Sequence, residues 1–550
     1  MKLLIVGSVA GGASAAARAR RLSEDAEIVV FERGPDVSFA NCGLPYYLGG
    51  EITDRQKLLV TTPERLRTRF ALDVRTRSSV EAIDRKAKKI RVRDLASGRE
   101  YEEPYDKLIL APGAAPLRPA IPGADLPGIF TLRNLQDVDC IKQRLDRGVR
   151  QAVVVGGGFI GLEMVENFVR RGINTTLVER HDQVLPPLDK EMTTPIVETL
   201  VTHGVTVLLG QSPEAFEQTP DGLMVRLTSG QRLPAQLVIL GVGVRPENRL
   251  AVDAGLEVGP RGGIRVSEFL QTSDPDIYAV GDAIEVEDFV SGDPAQVPLA
   301  GPANRQGRLA ADNVFGRPVK YRGTQGTAIV GVLDRTAAIT GASEKALRRA
   351  DRPFRKVYVH PAHHAGYYPG AESMTLKLLF DPRSGRVLGA QAVGGVGVDK
   401  RIDVLAVAIQ AGMTVFDLEE MELAYAPQYG SAKDPINMAG FVAAGLVRGE
   451  HPQVDVEAVL AAPAEQRPLV LDVRTPQEFS AGHIPGAVNV PVDDLRSRLH
   501  EIPRDREIAV CCQVGQRGYL ATRVLRQKGF SASNIGGGHK TYKLWQPRQP

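Results

Sequence analysis

The feature that most restricts this chain is a strand–turn–helix–strand pattern written twice. Leu3-Leu4-Ile5-Val6 runs into Gly7-Ser8-Val9-Ala10-Gly11-Gly12, and Ala152-Val153-Val154-Val155 runs into Gly156-Gly157-Gly158-Phe159-Ile160-Gly161. Each apolar run reaches glycines, then a stretch of helical character, then a second apolar strand ending in an acid. Those acids are Glu32 after Ile28-Val29-Val30-Phe31 and Glu179 after Thr176-Leu177-Val178. This is a βαβ unit, whose parallel strands need a helical crossover. Each copy closes with a strand running into glycine, Leu108-Ile109-Leu110-Ala111-Pro112-Gly113 and Val238-Ile239-Leu240-Gly241. Ile277-Tyr278-Ala279-Val280-Gly281-Asp282 reads as a late strand returning to the first copy. The pattern therefore predicts two dinucleotide-binding domains, the second inserted in the first.

The chemistry follows from the turn. Glycines let the backbone approach a pyrophosphate, and the helix N-terminus offers N–H donors and positive dipole. The acid after the second strand accepts hydrogen bonds from a ribose. Gly156, Gly158 and Gly161 fit GxGxxG, with Glu179 at the right spacing. The first copy keeps Gly7, Gly11, Gly12 and Glu32 but has Val9 where a middle glycine is expected. Single matches of this kind are often only tight turns; two copies, each with its acid, argue for nucleotide binding. Glu179 would repel a 2′-phosphate and favours NADH, while Arg180 beside it also admits NADPH. Asp282, at a strand end beside Gly281, is placed to bind a flavin polyol.

Residues 325–445 read as short β runs followed by a helical stretch near 399–412, and 446–455 as a linker containing Gly449-Glu450-His451-Pro452. A fresh α/β pattern fills 456–550. The chain has 550 residues, 43% hydrophobic and 24% charged, and its formal charge of +3 is too small to argue for nucleic acid. No apolar run is long enough to span a membrane. The N-terminus enters its glycine turn too early for a leader peptide. Cys42, Cys140, Cys511 and Cys512 form no CxxC and no disulfide framework, which points to a reducing, cytoplasmic setting. Cys140 has no motif around it and reads as structural. No metal-ligand pattern is present.

Cys42 lies in Ser38-Phe39-Ala40-Asn41-Cys42-Gly43-Leu44-Pro45-Tyr46-Tyr47, with no second cysteine two or five residues away. A thiolate there would be the nucleophile, stabilised by positive charge or by a helix N-terminus. Together with the duplicated nucleotide motifs, this segment resembles the pyridine nucleotide-disulfide oxidoreductase superfamily across residues 1–445, in its single-cysteine branch. That branch holds coenzyme A-disulfide reductase, NADH oxidase, NADH peroxidase and NADH-dependent persulfide reductase. The resemblance implies FAD in residues 1–113 plus 246–324, NAD(P)H in 114–245, a dimerisation domain in 325–445 and a homodimer. It also implies that Asp282 meets the flavin ribityl chain. The oxidases and peroxidases carry a histidine where this chain has Ala10, whereas Val9-Ala10-Gly11-Gly12 matches the reductases. Tyr367, in Tyr367-Tyr368-Pro369, and Tyr425, in Leu423-Ala424-Tyr425-Ala426-Pro427, match tyrosines that the resemblance implies reach Cys42 from a second subunit. Ser14, Arg18, Arg21, Ser38, Asn41, Asn304 and Lys433 match coenzyme A-binding positions. A lysine of the branch stands as Phe70 here.

Cys511-Cys512-Gln513-Val514-Gly515-Gln516-Arg517-Gly518 follows a strand and precedes a helical run. Such a loop can aim backbone N–H groups at one sulfur and stabilise an anionic persulfide, and Arg517 adds charge. With Asp472-Val473-Arg474 and Gly482-His483-Ile484-Pro485-Gly486-Ala487, it resembles a rhodanese domain, with Cys512 as nucleophile. The whole is expected to be an α/β protein: two Rossmann-like domains, an α+β dimerisation domain and a C-terminal α/β rhodanese domain. The expected activity is NADH-dependent reduction of sulfur–sulfur bonds in coenzyme A persulfide, polysulfide or coenzyme A-disulfide. The alternatives are an NADH oxidase or peroxidase, and a sulfurtransferase with a regulatory flavin module.

Overall fold

Leu3, Leu4 and Ile5 are fully buried because their strand lies mid-sheet, paired in parallel with Glu27–Phe31 on one side and Lys107–Leu110 on the other. A strand covered on both faces reads as a continuous apolar run, as this one does. The computed structural model describes residues 1–463 and 465–546. They form two units, one from Met1–Asp182 and Gly204–Gly326, the other from Gln183–His203 and the chain from Thr327 onward.

In the first unit, one five-stranded sheet has the order Ile277–Ala279, Lys107–Leu110, Lys2–Val6, Glu27–Phe31, Asp73–Arg75. All its pairings are parallel. A second parallel sheet runs Thr206–Leu209, Asn174–Glu179, Gln151–Val155, Leu237–Leu240, Ile129–Phe130. Its strands fall between Lys107–Leu110 and Ile277–Ala279 in sequence, so the chain leaves the first sheet, builds the second and returns. Each sheet carries a three-stranded antiparallel excursion, Ser78–Pro104 and Pro213–Ala235.

In the second unit, an antiparallel sheet has the order Ala328–Val332, Arg335–Gly341, Val387–Gly394, Thr375–Phe380, Arg355–Val359. The C-terminal sheet is parallel again: Gln453–Val454, Ala532–Ile535, Ile508–Cys511, Leu469–Asp472, Val488–Asn489. The expected α/β class, with an α+β third part, is what is found.

A buried charge cluster ties this unit together. The fully buried Lys377 Nζ donates to Asp189 (2.8 Å), Glu191 (2.6 Å) and Glu344 (2.7 Å). These three carboxylates stand close enough to hold a metal ion, but the Lys377 ammonium already supplies the positive charge at their centre. Lys356 pairs with Glu344 at 3.0 Å and also with Glu457, which follows the C-terminal linker. Buried ions persist only when paired in this way.

Candidate active sites

The first glycine turn shows why its residues are small. Gly7 has φ +95, and a Cβ on Gly12 would lie 1.9 Å from the Gly7 carbonyl oxygen. Helix α1 (Ala10–Leu22) starts there with no side-chain cap and no acid in its first turn. Its first N–H groups are thus left for an anion. Glu32 clamps the turn: one carboxylate oxygen accepts from Ser8 N–H (3.1 Å) and Ser8 Oγ (2.8 Å), the other from Gly34 N–H (2.8 Å). A carboxylate has about four acceptor sites, so ribose hydroxyls still find room. Asp282 sits in the one-turn helix Gly281–Ala283. Burial raises its carboxyl and Arg133 counters that.

The second turn repeats the design. Gly156 has φ +106, and a Cβ on Gly161 would lie 1.8 Å from the Gly156 oxygen. A Cβ on Gly158 would meet nothing within 4 Å, leaving open space for a phosphate. Helix α2 (Phe159–Arg170) also starts without a side-chain cap. Glu179 accepts from Gly157 N–H (2.6 Å) and His181 N–H (2.7 Å). Both turns therefore fit a dinucleotide: uncapped helix ends, a glycine that tolerates no Cβ (Gly12 or Gly161), and an acid aligned at each.

Cys42 is exposed, in the short turn Asn41–Gly43 that leads into the helix Leu44–Gly49. Ser38, at φ +39, ties the segment back to the first glycine turn through its N–H to Ser8 O (3.1 Å). A non-glycine residue in this left-handed region costs about 1 kcal/mol or more and is held by its surroundings. The helix Leu44–Gly49 packs on α2: a Cβ on Gly49 would collide with Asn167 at 1.8 Å, Arg171 donates to Leu48 O at 2.9 Å, and Glu51 pairs with Arg170. Cys42 is thereby fastened to both nucleotide turns.

The electrostatics differ from the expectation of a positive site. The Cys42 thiol is pushed up, first by burial of its surroundings and then by the Glu163 and Asp282 carboxylates. The helix after Cys42 has only six residues, too short to offset two acids. Glu163, on α2, is itself pushed up to about 7 by burial and by Glu166. Sequence reading missed Glu163; its only signal was its place two residues after Gly161 in the motif. Asn41 donates to Arg133 O at 3.1 Å.

The candidate substrate residues divide. Ser14 Oγ and Asn304 Oδ1 meet at 2.6 Å between α1 and α3 (Ala300–Val314). Arg18 is held by Asp312 at 2.6 Å with only 16% of its side chain exposed, while Arg21 is exposed. Arg18 thus clamps α1 to α3 through a partner 294 residues away. Lys433 is exposed, and so is Cys140. In the second unit, Tyr367 and Tyr425 share a hydrogen bond of 2.9 Å between their hydroxyls and are 76% and 49% exposed. That bond raises the Tyr367 phenol.

In the C-terminal domain, Cys512 is fully buried at the end of the strand Ile508–Cys511. Its Sγ accepts from Gly515 N–H at 3.1 Å. Arg517 makes a two-pronged ion pair with Glu478 (2.7 and 2.8 Å), which holds Glu478 at about 2. Its charge is thus largely matched before it reaches the sulfur. Cys511 points the other way, among Val456, Val459 and Tyr542, and burial drives its thiol well up. The two adjacent cysteines face opposite sides of the sheet and have separate environments.

Comparison with known proteins agrees with this layout. Residues 1–307 match the pyridine nucleotide-disulphide oxidoreductase family, 327–434 its dimerisation domain and 455–544 the rhodanese-like domain. The coenzyme A disulfide reductase of Staphylococcus haemolyticus is 38% identical over 447 residues, 81% of this chain and all of the relative. The crystal structure of reduced Bacillus anthracis CoADR-RHD superposes with a TM-score of 0.96 at 49% identity, covering 99% of this chain and 98% of the other. The NAD-dependent persulfide reductase from A. fulgidus gives 0.92 at 36%, covering 98% and 100%. With glycine turns, exposed cysteine, dimerisation domain and Cys512 loop all in place, the chain belongs to the pyridine nucleotide-disulphide oxidoreductase family and carries a rhodanese-like domain at its C-terminal end.

Proposed function

We propose that this chain is an NADH-dependent flavoprotein that reduces sulfur–sulfur bonds of coenzyme A persulfide, polysulfide or coenzyme A-disulfide, with Cys42 as its nucleophile. The observation that carries this reading is Cys42 itself: an exposed, solitary thiol fastened by Ser38 to one nucleotide turn and by α2 to the other. A flavin and a nicotinamide bound at the two turns would supply the two electrons. Gly7, Gly11, Gly12, Glu32 and Asp282 would hold FAD, and Gly156, Gly158, Gly161 and Glu179 the nicotinamide dinucleotide. The Glu179 carboxylate disfavours a 2′-phosphate, which is the basis for NADH over NADPH.

The Cys42 thiolate attacks the coenzyme A sulfur of a persulfide. A mixed disulfide forms and hydrosulfide leaves. Two electrons then reopen that disulfide to the Cys42 thiolate and coenzyme A. With coenzyme A-disulfide the leaving group is a coenzyme A thiolate. Ser14, Arg18, Arg21, Ser38, Asn41, Asn304 and Lys433 would receive the anionic coenzyme. In a homodimer, Tyr367 and Tyr425 of the second subunit would donate a phenol proton to the departing thiolate. Cys512 would carry sulfane sulfur for the same reaction. The deciding experiment gives the enzyme polysulfide or coenzyme A-disulfide and compares wild type with Cys512→Ser. Loss confined to polysulfide supports a sulfur-feeding role; equal loss on both removes it.

A further inference from the structure

The sulfur loop around Cys512 is braced by residues outside the loop. Gly515, at φ +97, gives its N–H to the Cys512 Sγ. Its carbonyl oxygen is held at 2.9 Å by the Tyr519 N–H and at 3.0 Å by Asn534 Nδ2. The same Asn534 nitrogen lies 3.0 Å from His451 Nε2. A carbonyl only accepts, so the Asn534 amide must present nitrogen to Gly515. One of its hydrogens then serves Gly515, and the other points at His451. His451 Nε2 must therefore accept and carry its proton on Nδ1. Burial and Arg523 bring the imidazole down to about 4, which keeps it neutral.

The remaining Asn534 oxygen is buried and without a hydrogen-bond partner. It lies where a Cβ on Gly518 would be, 2.3 Å away, so Gly518 is what admits the amide. His451 precedes the stretch 455–544 that matches the rhodanese-like family. Its ring packs against Tyr519 at a tilt of 53°, with centroids 4.4 Å apart, and the neighbouring Pro452 carbonyl accepts from Asn534 N–H at 2.8 Å. The interdomain linker thus donates a side chain to the sulfur loop. The other charged or titratable groups facing this loop are Arg474 with Asp472, His539, Arg517 with Glu478, and Cys511.

We infer that His451 and Asn534 are positioning residues for Cys512: a relay from linker to amide to Gly515 that keeps one N–H aimed at the sulfur. An N–H aimed at sulfur favours its anionic form over the neutral one. The inference rests on Cys512 being the sulfur-carrying nucleophile.

The test uses the full-length holoprotein with His451→Phe, His451→Gln and Asn534→Leu. Phe keeps the ring on Tyr519 but cannot accept; Gln can accept through its side-chain oxygen. Two rates are read: alkylation of Cys512 by iodoacetamide, located by peptide mass spectrometry, and sulfur transfer from thiosulfate to cyanide, split into kcat and KM. His451→Phe and Asn534→Leu are expected to slow alkylation about tenfold, in line with one hydrogen bond to a charged group, and to lower kcat with KM little changed. His451→Gln is expected to restore both rates, and NADH oxidation with coenzyme A-disulfide to stay at the wild-type level in all three. Simple loosening of the loop would instead expose Cys512 and speed alkylation. Faster or unchanged alkylation in His451→Phe, or a His451→Gln as slow as His451→Phe, overturns the inference. If Asn534→Leu fails to fold, the two His451 variants decide alone. A Cys512→Ser chain that still transfers sulfur would remove the reading of Cys512 as carrier, while the alkylation rates would still report on positioning.

Discussion

Glu163 sets a condition on Cys42. Its carboxyl titrates at about 7, and above that pH its charge opposes formation of the Cys42 thiolate. Glu163→Gln removes the charge and keeps the shape, so Cys42 should alkylate about threefold faster at pH 8; unchanged alkylation would place Glu163 too far away to matter. Gly7, Gly12, Gly156 and Gly161 were readable in the sequence because a positive φ or a backbone oxygen where a Cβ would sit excludes other residues there. Gly12→Ala, with its Cβ 1.9 Å from a carbonyl oxygen, should yield protein lacking bound flavin by its visible spectrum. Cys42 was readable too, since its solitude is a property of the sequence. Its acidic surroundings were not: Glu163 and Asp282 lie far from it along the chain and meet it only through packing. The Tyr367–Tyr425 bond and the Arg18–Asp312 clamp stayed hidden for the same reason.

At the scale of elements, the parallel strands announced themselves as apolar runs, while the polar core of the second unit did not. Lys377 and its three carboxylates come from three separated segments, with Asp189 and Glu191 sharing one, and nothing in the periodicity of any of them marks a buried charge. Lys377→Met leaves Asp189 and Glu191 without their cation and Glu344 with Lys356 and Arg348, and should cost about 3–5 kcal/mol of stability, measured by urea unfolding at pH 7. The pH dependence follows from Glu344. Burial alone would raise its carboxyl, yet Lys377 and Lys356 hold it at about 2, below the ordinary 4.5. A lowered carboxyl stabilises the fold fully above the unfolded value and loses that contribution as pH falls toward 2. The gap between wild type and Lys377→Met should therefore narrow below about pH 4.5. A gap that stays constant with pH would show that the cluster does not carry it.

At the scale of the molecule, a reductase and a rhodanese-like domain share one chain, and the second unit joins the dimerisation sheet to the loop around Cys512. His360 is buried between Thr375 of that sheet and Thr541 beside the loop, at 3.0 and 2.9 Å. The order of domains was legible because each begins with its own strand and turn signals. The linker's part in the sulfur loop was not, because His451 looked like any polar residue of a connection. The account's central claim is that Cys42 attacks sulfur–sulfur bonds. Its most direct test is NADH oxidation by wild type and Cys42→Ser, given coenzyme A persulfide, polysulfide, coenzyme A-disulfide or oxygen alone. The account predicts rapid turnover with at least one sulfur substrate, little with oxygen, and a fall of about a thousandfold or more in the flavin-loaded Cys42→Ser. Oxygen consumption that dominates in wild type, or sulfur reduction that survives in Cys42→Ser, would contradict it.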